Sequence, residues 1–233
     1  MPIKYGSKAV NDVFYGNKRV LQIYQGSKLV YNAEIGLPSG YTQLEYLQSD
    51  SKAYIDTGIA GDIETLEIGC KFSWSKSVSY GAVYGNYISD KHNGTCLILE
   101  ASNVTDTIIA NTNTICTITG NTNVSCNINE IHNVVNTYDN VNVDDTIITK
   151  TNKTKGESNS SNIALFNRSL TNPNTERDIG LRVYSFYVKN GSKIIRNFIP
   201  VKRNIDNVLG MYDKVTKQFF TNVGTGTFTS NVS

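Results

Sequence analysis

The clearest pattern in the sequence is an alternation of apolar positions over a ten-residue segment. Leu66, Ile68, Cys70, Phe72 and Trp74 occupy every second position, which places all five side chains on one face of a β-strand. This face is predicted to lie in the core. Trp74 is in phase with the others, so it is predicted to be a core residue and not a platform for stacking on sugars.

Shorter segments with alternating, β-branched or aromatic residues recur along the chain, separated by Gly, Asn and Ser. No stretch of ten or more residues has the apolar period near 3.6 that marks an amphipathic helix. Many short strands with turns between them predict an all-β, two-sheet sandwich. The polar segment 151–162 is predicted to be a mobile loop. Strands are predicted at 41–47, 53–58, 65–74, 114–119, 124–128, 132–138, 146–150, 163–166, 180–189 and 192–200, with a last group over 219–228.

The first thirty residues repeat with a period of ten. Gly6, Gly16 and Gly26 are each followed by Lys two positions later and by Val four positions later. Gly at the start of a two-residue turn joins two short antiparallel strands, so the repeat predicts a small β-meander. A meander of this size cannot bury enough surface to be stable alone. It must pack against the rest of the chain, copies of itself or a partner.

This change in pattern predicts the domain organisation. The repeat defines a docking segment over residues 1–33, and Gly and Pro in residues 34–39 indicate a short linker. Residues 40–233 are predicted to be the main domain. Since that domain has its own core-facing strands, the repeat is better explained by a partner than by the stability of the chain.

Charge is distributed unevenly. The chain carries 22 basic and 20 acidic residues, a net charge of +2, which is too close to neutral for a nucleic-acid binder. Residues 1–33 have a local balance of +4. Lys8, Lys18, Arg19 and Lys28 are therefore predicted to dock onto an acidic surface of a partner. The alternative is that these edge-strand cations only discourage aggregation.

The sequence has no apolar run near the roughly 20 residues that span a bilayer, and its first residues lack the apolar segment of a secretion signal. No membrane insertion is expected, and the protein is expected to be made in a cytoplasm. The four cysteines show no C-x-x-C spacing. They are predicted to be reduced and mostly buried.

Several sequence segments of the main domain resemble a known family. Gly40–Ser49, followed by Tyr54–Gly58, is similar to the opening of concanavalin A-like (LamG-like) jelly-roll domains, which are common in phages and gut bacteria. Ile195–Val201 resembles a later segment of that family, with Asn197 where Asp is usual. The segments 182–187, 210–213 and 219–228 resemble its penultimate strand and closing signature. The resemblance covers about residues 40–230 and implies a concanavalin A-like jelly roll.

The cluster at residues 80–87 is the candidate for carbohydrate binding. Tyr80, Tyr84, Asn86 and Tyr87 lie among glycines, and Tyr rings with Asn amides can stack on and hydrogen-bond a sugar. The alternative is a strand with one buried face. His132 opens a predicted central strand and is interpreted as structural, not as a ligand-site residue.

Catalysis is not expected. The jelly-roll family includes glycoside hydrolases, which need two carboxylates flanking the scissile bond. Glu64 and Glu67 would lie on opposite faces of a strand. The order of the acidic residues around them also differs from that of the catalytic carboxylates in those hydrolases. No cofactor is expected. Asp56 and Asp213 are weak candidates for a structural calcium site, the alternative being that each accepts hydrogen bonds from its own turn.

The N-terminal repeat resembles short β-repeats at the head of phage virion proteins. Together these features predict a non-enzymatic phage virion component, either a capsid decoration or a head or tail fibre. Its partners would be other virion proteins and host glycans, and fibres of this kind imply a homo-oligomer, in particular a trimer. A bacterial surface or secreted carbohydrate-binding module is the alternative, and a jelly-roll glycoside hydrolase is the third possibility.

Overall fold

A computed structural model shows two compact units, Met1–Tyr41 and Thr42–Ser233. Side chains are described for residues 37–61, 63, 65–76, 81–86, 95–99, 127–150, 160–170 and 178–231. The backbone alone is described for 4–5, 8–9, 14–15, 18–19, 22–25, 28–32, 100–102, 105–111, 114–115 and 154–155.

In the first unit, each copy of the ten-residue repeat is one β-hairpin. The strands pair as β1 (Lys4–Tyr5) with β2 (Lys8–Ala9), β3 (Phe14–Tyr15) with β4 (Lys18–Arg19), and β5 (Gln22–Gln25) with β6 (Lys28–Asn32). Each pair is its own two-stranded sheet, so within the described backbone the repeat forms three hairpins and not one continuous meander. Lys8, Lys18 and Lys28 each open the second strand of their hairpin.

Within its described residues, the second unit contains β-strands and no helix. The first nine are β7 (Tyr41–Gln43), β8 (Leu47–Ser49), β9 (Ile55–Ala60), β10 (Leu66–Ser73), β11 (Gly81–Gly85), β12 (Cys96–Ser102), β13 (Thr105–Asn111), β14 (Thr114–Ile115) and β15 (His132–Asn136). The others are β16 (Asn140–Val143), β17 (Thr146–Thr149), β18 (Thr154–Lys155), β19 (Asn162–Leu165), β20 (Arg182–Asn190), β21 (Lys193–Arg203), β22 (Leu209–Asp213), β23 (Gln218–Thr221) and β24 (Phe228–Thr229).

These strands form two main antiparallel sheets. The larger sheet has the order β17-β16-β15-β10-β20-β21-β22-β23, with β8 pairing to β20 and β24 pairing to β8. The smaller sheet has the order β13-β12-β11-β19-β9. The prediction of an all-β sandwich is confirmed.

The core lies between the two sheets and follows the predicted alternation. Ile68, Cys70 and Phe72 of β10 are buried, and Trp74 is 2% exposed. Each fully buried side chain of this size contributes about 1.5–3 kcal/mol relative to an exposed one. From the larger sheet, Val134, Val141, Val183, Phe186, Val188, Phe198 and Met211 join the cluster, and from the smaller sheet Ile55, Val83, Tyr84, Leu97, Leu99, Ile163 and Leu165.

The Asn- and Thr-rich middle of the chain differs from the prediction. The strand predicted at 114–119 is described only at Thr114–Ile115, which pairs with Thr154–Lys155. The latter strand lies inside the segment predicted to be a loop. Residues 116–126, which include Cys116 and Cys126, lie outside the described residues, whereas Cys70 and Cys96 are buried as predicted.

The two ends of the sandwich unit are fastened to one another. Strand β24 pairs with β8, so Phe228 lies opposite Ser49. The Asp50 carboxylate accepts hydrogen bonds from the backbone N–H groups of Lys52 and Ala53, both at 3.0 Å, and of Thr227 at 2.8 Å. A Cβ at Gly226 would lie 2.0 Å from Oδ1 of Asp50, so only glycine allows this approach.

The hairpin between β16 and β17 turns through two aspartates. Asp144 and Asp145 have φ of 47° and 69°, the left-handed values required at both central positions of a type I′ turn. Asp144 compensates for this conformation, because its carboxylate accepts a hydrogen bond from the backbone N–H of Asn133 at 2.7 Å and contacts Nδ1 of His132 at 2.6 Å. Among the described residues, the exposed side chain of Asp145 has no such partner.

The Asp145→Gly substitution is expected to stabilise the protein by about 0.5–1 kcal/mol, because glycine adopts a positive φ without steric cost. Thermal or urea unfolding measures the change. The matched control is Asp144→Gly, which gains the same backbone freedom but loses both side-chain contacts and is expected to destabilise by about 1–2 kcal/mol. Stabilisation by both substitutions, or by neither, contradicts this account of the turn.

The hydrogen bonds accepted by Asp50 predict that its contribution to stability is lost in acid. Burial alone would raise its pKa, but hydrogen bonds from Thr227, Lys52 and Ala53 outweigh this and lower the pKa below the ordinary value of 3.8. Ionised Asp50 therefore stabilises the fold above about pH 4, and this contribution is lost as the pH falls through the folded pKa.

Asp50→Asn should lower the Tm at pH 7 by about 2–4 °C, equivalent to about 1 kcal/mol for a domain of this size, because the amide places N–H groups where the carboxylate accepted them. The Tm difference between the two proteins should shrink below pH 4. Glu45→Gln is the control, since this exposed carboxylate accepts one long hydrogen bond, 3.3 Å from Asn231. A Tm difference that stays constant down to pH 2.5 contradicts the assignment.

Candidate functional site

The structure corrects the interpretation of Tyr84 and Asn86 as sugar-binding residues. Both are 0% exposed. The Tyr84 ring packs edge-on against Phe186 with 5.5 Å between centroids, and its hydroxyl accepts a hydrogen bond from Asn136 at 3.1 Å. Strand β11 is buried on both faces, so neither side chain reaches a surface. Tyr80 and Tyr87 lie outside the described residues.

Asn86 has a structural role in the interior. Its Oδ1 accepts a hydrogen bond from the backbone N–H of Thr95 at 2.8 Å, and its Nδ2 donates to the carbonyl of Ser161 at 3.1 Å. The amide therefore joins segments on either side of β11 where regular pairing ends. Hydrogen bonding of this kind is what a buried polar side chain requires.

The two aspartates considered for calcium are hydrogen-bonded within their own turns, as the alternative interpretation held. Asp213 is 0% exposed, and its Oδ1 accepts hydrogen bonds from the backbone N–H of Asn197 at 2.8 Å and of Val215 at 3.0 Å. Asp56 accepts one from the backbone N–H of Gly58 at 2.8 Å. Among the described residues, no group of three or more His, Cys, Asp or Glu side chains could hold a metal ion.

His132 is structural, as its position in the sequence predicted. It is 3% exposed, with Nδ1 2.6 Å from Oδ2 of Asp144 and Nε2 3.0 Å from the carbonyl oxygen of Asn127. Its ring packs 5.1 Å from that of Trp74. These contacts hold the start of β15 against the end of β10.

A β-bulge directs an aromatic side chain onto the outer face of the larger sheet. Lys71 of β10 lies opposite Ser185 of β20, whereas Phe72 lies opposite Val183. Tyr184 is therefore the extra residue between two paired positions. A bulge re-aims a side chain without breaking the pairing on either side. Val183 and Phe186 stay in the core, while Tyr184 and Ser185 are both partly exposed.

Tyr184 is the centre of a surface cluster that we call the tyrosine patch. It consists of Tyr46, Gln48, Lys71, Ser73, Arg182 and Tyr184. The rings of Tyr46 and Tyr184 meet edge-on with 5.8 Å between centroids. The Tyr184 hydroxyl lies 3.2 Å from that of Ser73, so the exposed ring is held in place from below.

Two cations flank these rings. The Arg182 guanidinium lies 4.9 Å from the centroid of Tyr46 and donates to the side-chain oxygen of Gln48 at 2.8 Å. The Lys71 ammonium lies 6.0 Å from the centroid of Tyr184. Within the described residues neither cation has a carboxylate partner. The tyrosine patch therefore combines partly exposed aromatic surface with positive charge that a ligand can neutralise.

A second tyrosine lies beside the patch on the same face. Tyr187 packs over Gly69, where an added Cβ would lie 2.0 Å from its ring. Its hydroxyl donates to Glu67 at 2.8 Å, and the Lys189 ammonium donates to the same carboxylate oxygen at 2.7 Å.

The charges of Glu67 and Lys189, which contact each other beside Tyr187, compensate one another. Burial would raise the pKa of Glu67, but the bonds from Lys189 and Tyr187 lower it. Burial, followed by the nearby Glu67 carboxylate, raises the pKa of Tyr187. In contrast to the tyrosine patch, this group leaves no cation for a ligand.

No protein-family model matches the chain, and no curated protein matches its sequence. Among the residues that the structure describes, no helix has the length and apolar character needed to cross a membrane.

Gly69→Ala is expected to displace the Tyr187 ring and to lower the free energy of unfolding by about 1 kcal/mol. In a Tyr187→Ala background the same substitution should cost nothing or be slightly stabilising, since alanine restricts the unfolded chain more than glycine does. A double-mutant cycle by urea denaturation measures the coupling. Equal effects of Gly69→Ala in both backgrounds would show that the ring does not depend on the glycine.

Proposed function

We propose that the chain is a non-enzymatic structural protein of a phage virion, either a capsid decoration or a head or tail fibre. Its β-sandwich binds glycans associated with the host, and its N-terminal hairpins dock it to other virion proteins. The observation that carries the binding function is the tyrosine patch. The resemblance of residues 40–230 to concanavalin A-like jelly rolls, and of the ten-residue repeat to virion β-repeats, supports the virion context.

The chemistry of the tyrosine patch suits a sugar. Aromatic rings stack on the apolar C–H faces of pyranose rings, and amide and hydroxyl groups beside them fix the orientation. Tyr46 and Tyr184 offer the rings, and Gln48 offers the amide. Lys71 and Arg182 add two positive charges, which select sugars that carry carboxylate or sulfate groups over neutral ones.

A single copy of such a site binds its glycan weakly. It is formed largely by partly exposed side chains on one sheet face, so a ligand loses only part of its hydration there. Display of several copies on one particle raises the apparent affinity by about 10²–10⁴ without any new contact. A homotrimer would supply such display.

The N-terminal hairpins are the docking element in this proposal. Lys8, Lys18 and Lys28 recur at one pairing position in the three hairpins, with Arg19 beside Lys18. A row of cations at equivalent positions suits a repeated acidic surface on the virion partner.

Binding can be tested on an array of neutral and acidic glycans with the protein displayed multivalently on beads. Tyr184→Ala should reduce binding about tenfold, equivalent to about 1.4 kcal/mol, whereas Tyr184→Phe should retain most of it because the ring remains. The double substitution Lys71→Ala/Arg182→Ala should remove the preference for acidic glycans. Increasing the salt concentration should likewise weaken the parent protein's preference for acidic glycans.

Lys193→Ala is the matched control, since it removes an exposed lysine from the start of β21 and should leave binding unchanged. Circular dichroism melts establish that each variant is folded. Absence of binding by the parent protein at multivalent display would overturn the glycan-binding function, and so would binding that Tyr184→Ala leaves undiminished.

A further inference from the structure

A lysine side chain is buried between the sheets in contact with an asparagine amide. Lys150 is 3% exposed and Asn136 is 0% exposed. The Lys150 amine lies 2.5 Å from Oδ1 of Asn136 and also contacts the carbonyl oxygen of Thr137. On its other side, the amide of Asn136 donates through Nδ2 to the Tyr84 hydroxyl at 3.1 Å.

The fold holds these groups in place from three strands. Asn136 ends β15 and pairs with Ile68 of the central strand β10. Lys150 follows β17, and its backbone N–H donates to the carbonyl of Asp139 at 2.8 Å, which directs its side chain beneath the β15–β16–β17 meander. Tyr84 reaches the same point from the smaller sheet. Backbone hydrogen bonds therefore fix the positions of Lys150 and Asn136, and their contact does not depend on flexible surface side chains.

Burial prepares the amine for reaction. An ammonium ion is strongly disfavoured in an apolar interior, and the neutral amine is the nucleophilic form. Two reactive groups held in contact also react as if at very high concentration, with effective molarities of about 10⁵–10⁸ M for well-aligned pairs.

We propose that Lys150 and Asn136 form an intramolecular isopeptide bond. The Nζ lone pair attacks Cγ of Asn136, the Cγ–Nδ2 bond breaks, and Nδ2 leaves as ammonia. Lysine amine and asparagine carboxamide are thus converted to a secondary amide and ammonia. One proton moves from Nζ to the departing nitrogen, no electrons are gained or lost, and no co-reactant is needed.

The Tyr84 hydroxyl is positioned to carry that proton. It already accepts a hydrogen bond from Nδ2, the atom that must be protonated in order to leave. Burial, opposed in part by the bond from Asn136, raises the pKa of Tyr84 well above its ordinary value. The hydroxyl therefore stays protonated at neutral pH and donates its proton to the leaving nitrogen. Nζ gives its proton to Oδ1, which lies 2.5 Å away, and that proton returns to the Tyr84 oxygen as the carbonyl re-forms.

The product would join the end of β15 to the residue after β17 by a covalent bond. The two residues are fourteen positions apart, so the bond closes a loop around the meander at one edge of the larger sheet. A cross-link that closes a loop of this length restricts the unfolded chain and so stabilises the fold. Unlike a disulfide, it would resist reduction.

Mass spectrometry of the denatured full-length protein tests the proposal directly. The intact mass, near 25.7 kDa, should be lower than the sequence mass by one molecule of ammonia. Cleavage at Asp139, Asp144 and Asp145 separates residues 136 and 150 in an ordinary chain. Here the two peptides should remain joined, and tandem spectra should place the bond at these side chains.

Variants separate the roles of the three residues. Lys150→Met should restore the full sequence mass, and Tyr84→Phe should slow the loss of ammonia by tenfold or more after refolding. Lys189→Met is the matched control, since its amine contacts the Glu67 carboxylate, and it should keep the mass deficit. Loss of ammonia at an unchanged rate in Tyr84→Phe would overturn the role of the hydroxyl.

The parent protein alone can overturn the cross-link, whether or not the variants fold. A mass equal to the sequence mass, both fresh and after prolonged incubation of the folded protein, would show that Lys150 and Asn136 only share a hydrogen bond. A deficit that maps to another position, such as a succinimide at Asn93-Gly94, would exclude the proposed bond equally.

Discussion

The pairing of β10 with β20 is the constraint on which the rest of the sandwich depends. The register sets Ile68 opposite Val188 and Cys70 opposite Phe186 on the inner face, and Gly69 opposite Tyr187 on the outer face. Because successive side chains of a strand point to opposite faces, a shift of one residue would exchange the core and the surface. The same pairing thus determines both the packing between the sheets and the composition of the exposed face.

Much of the fold could be predicted from the sequence where one face of a strand is polar. The alternation around Phe72 identified β10 and its inner face, and the same reasoning assigned Trp74 to the core. Strand β11 could not be interpreted in this way, because Gly81–Gly85 is buried on both sides and such strands carry no alternating pattern. Tyr84 therefore resembled a surface tyrosine in the sequence, although its ring fills the space between the sheets.

The tyrosine patch was not identified from the sequence, yet a signal for it exists. In β20 the buried positions are Val183, Phe186 and Val188, a spacing of three followed by two. A strand that changes phase in this manner must contain a bulge, and the extra residue is then Tyr184. Lys71 and Tyr46 could not be assigned to the same site, because only pairing between strands that are distant in sequence brings them to Tyr184.

The pairing of β24 with β8 has a consequence for how this sandwich can be joined to other proteins. Phe228–Thr229 and Leu47–Ser49 are neighbouring strands, so segments near the two ends of the unit lie about 5 Å apart in the larger sheet. A unit whose ends are neighbours can be inserted into a loop of another protein with short connections on both sides. It can also be circularly permuted, for example by opening the exposed turn at Gly191. The sandwich is in this sense a portable module, whose strand order along the chain is not required for its architecture.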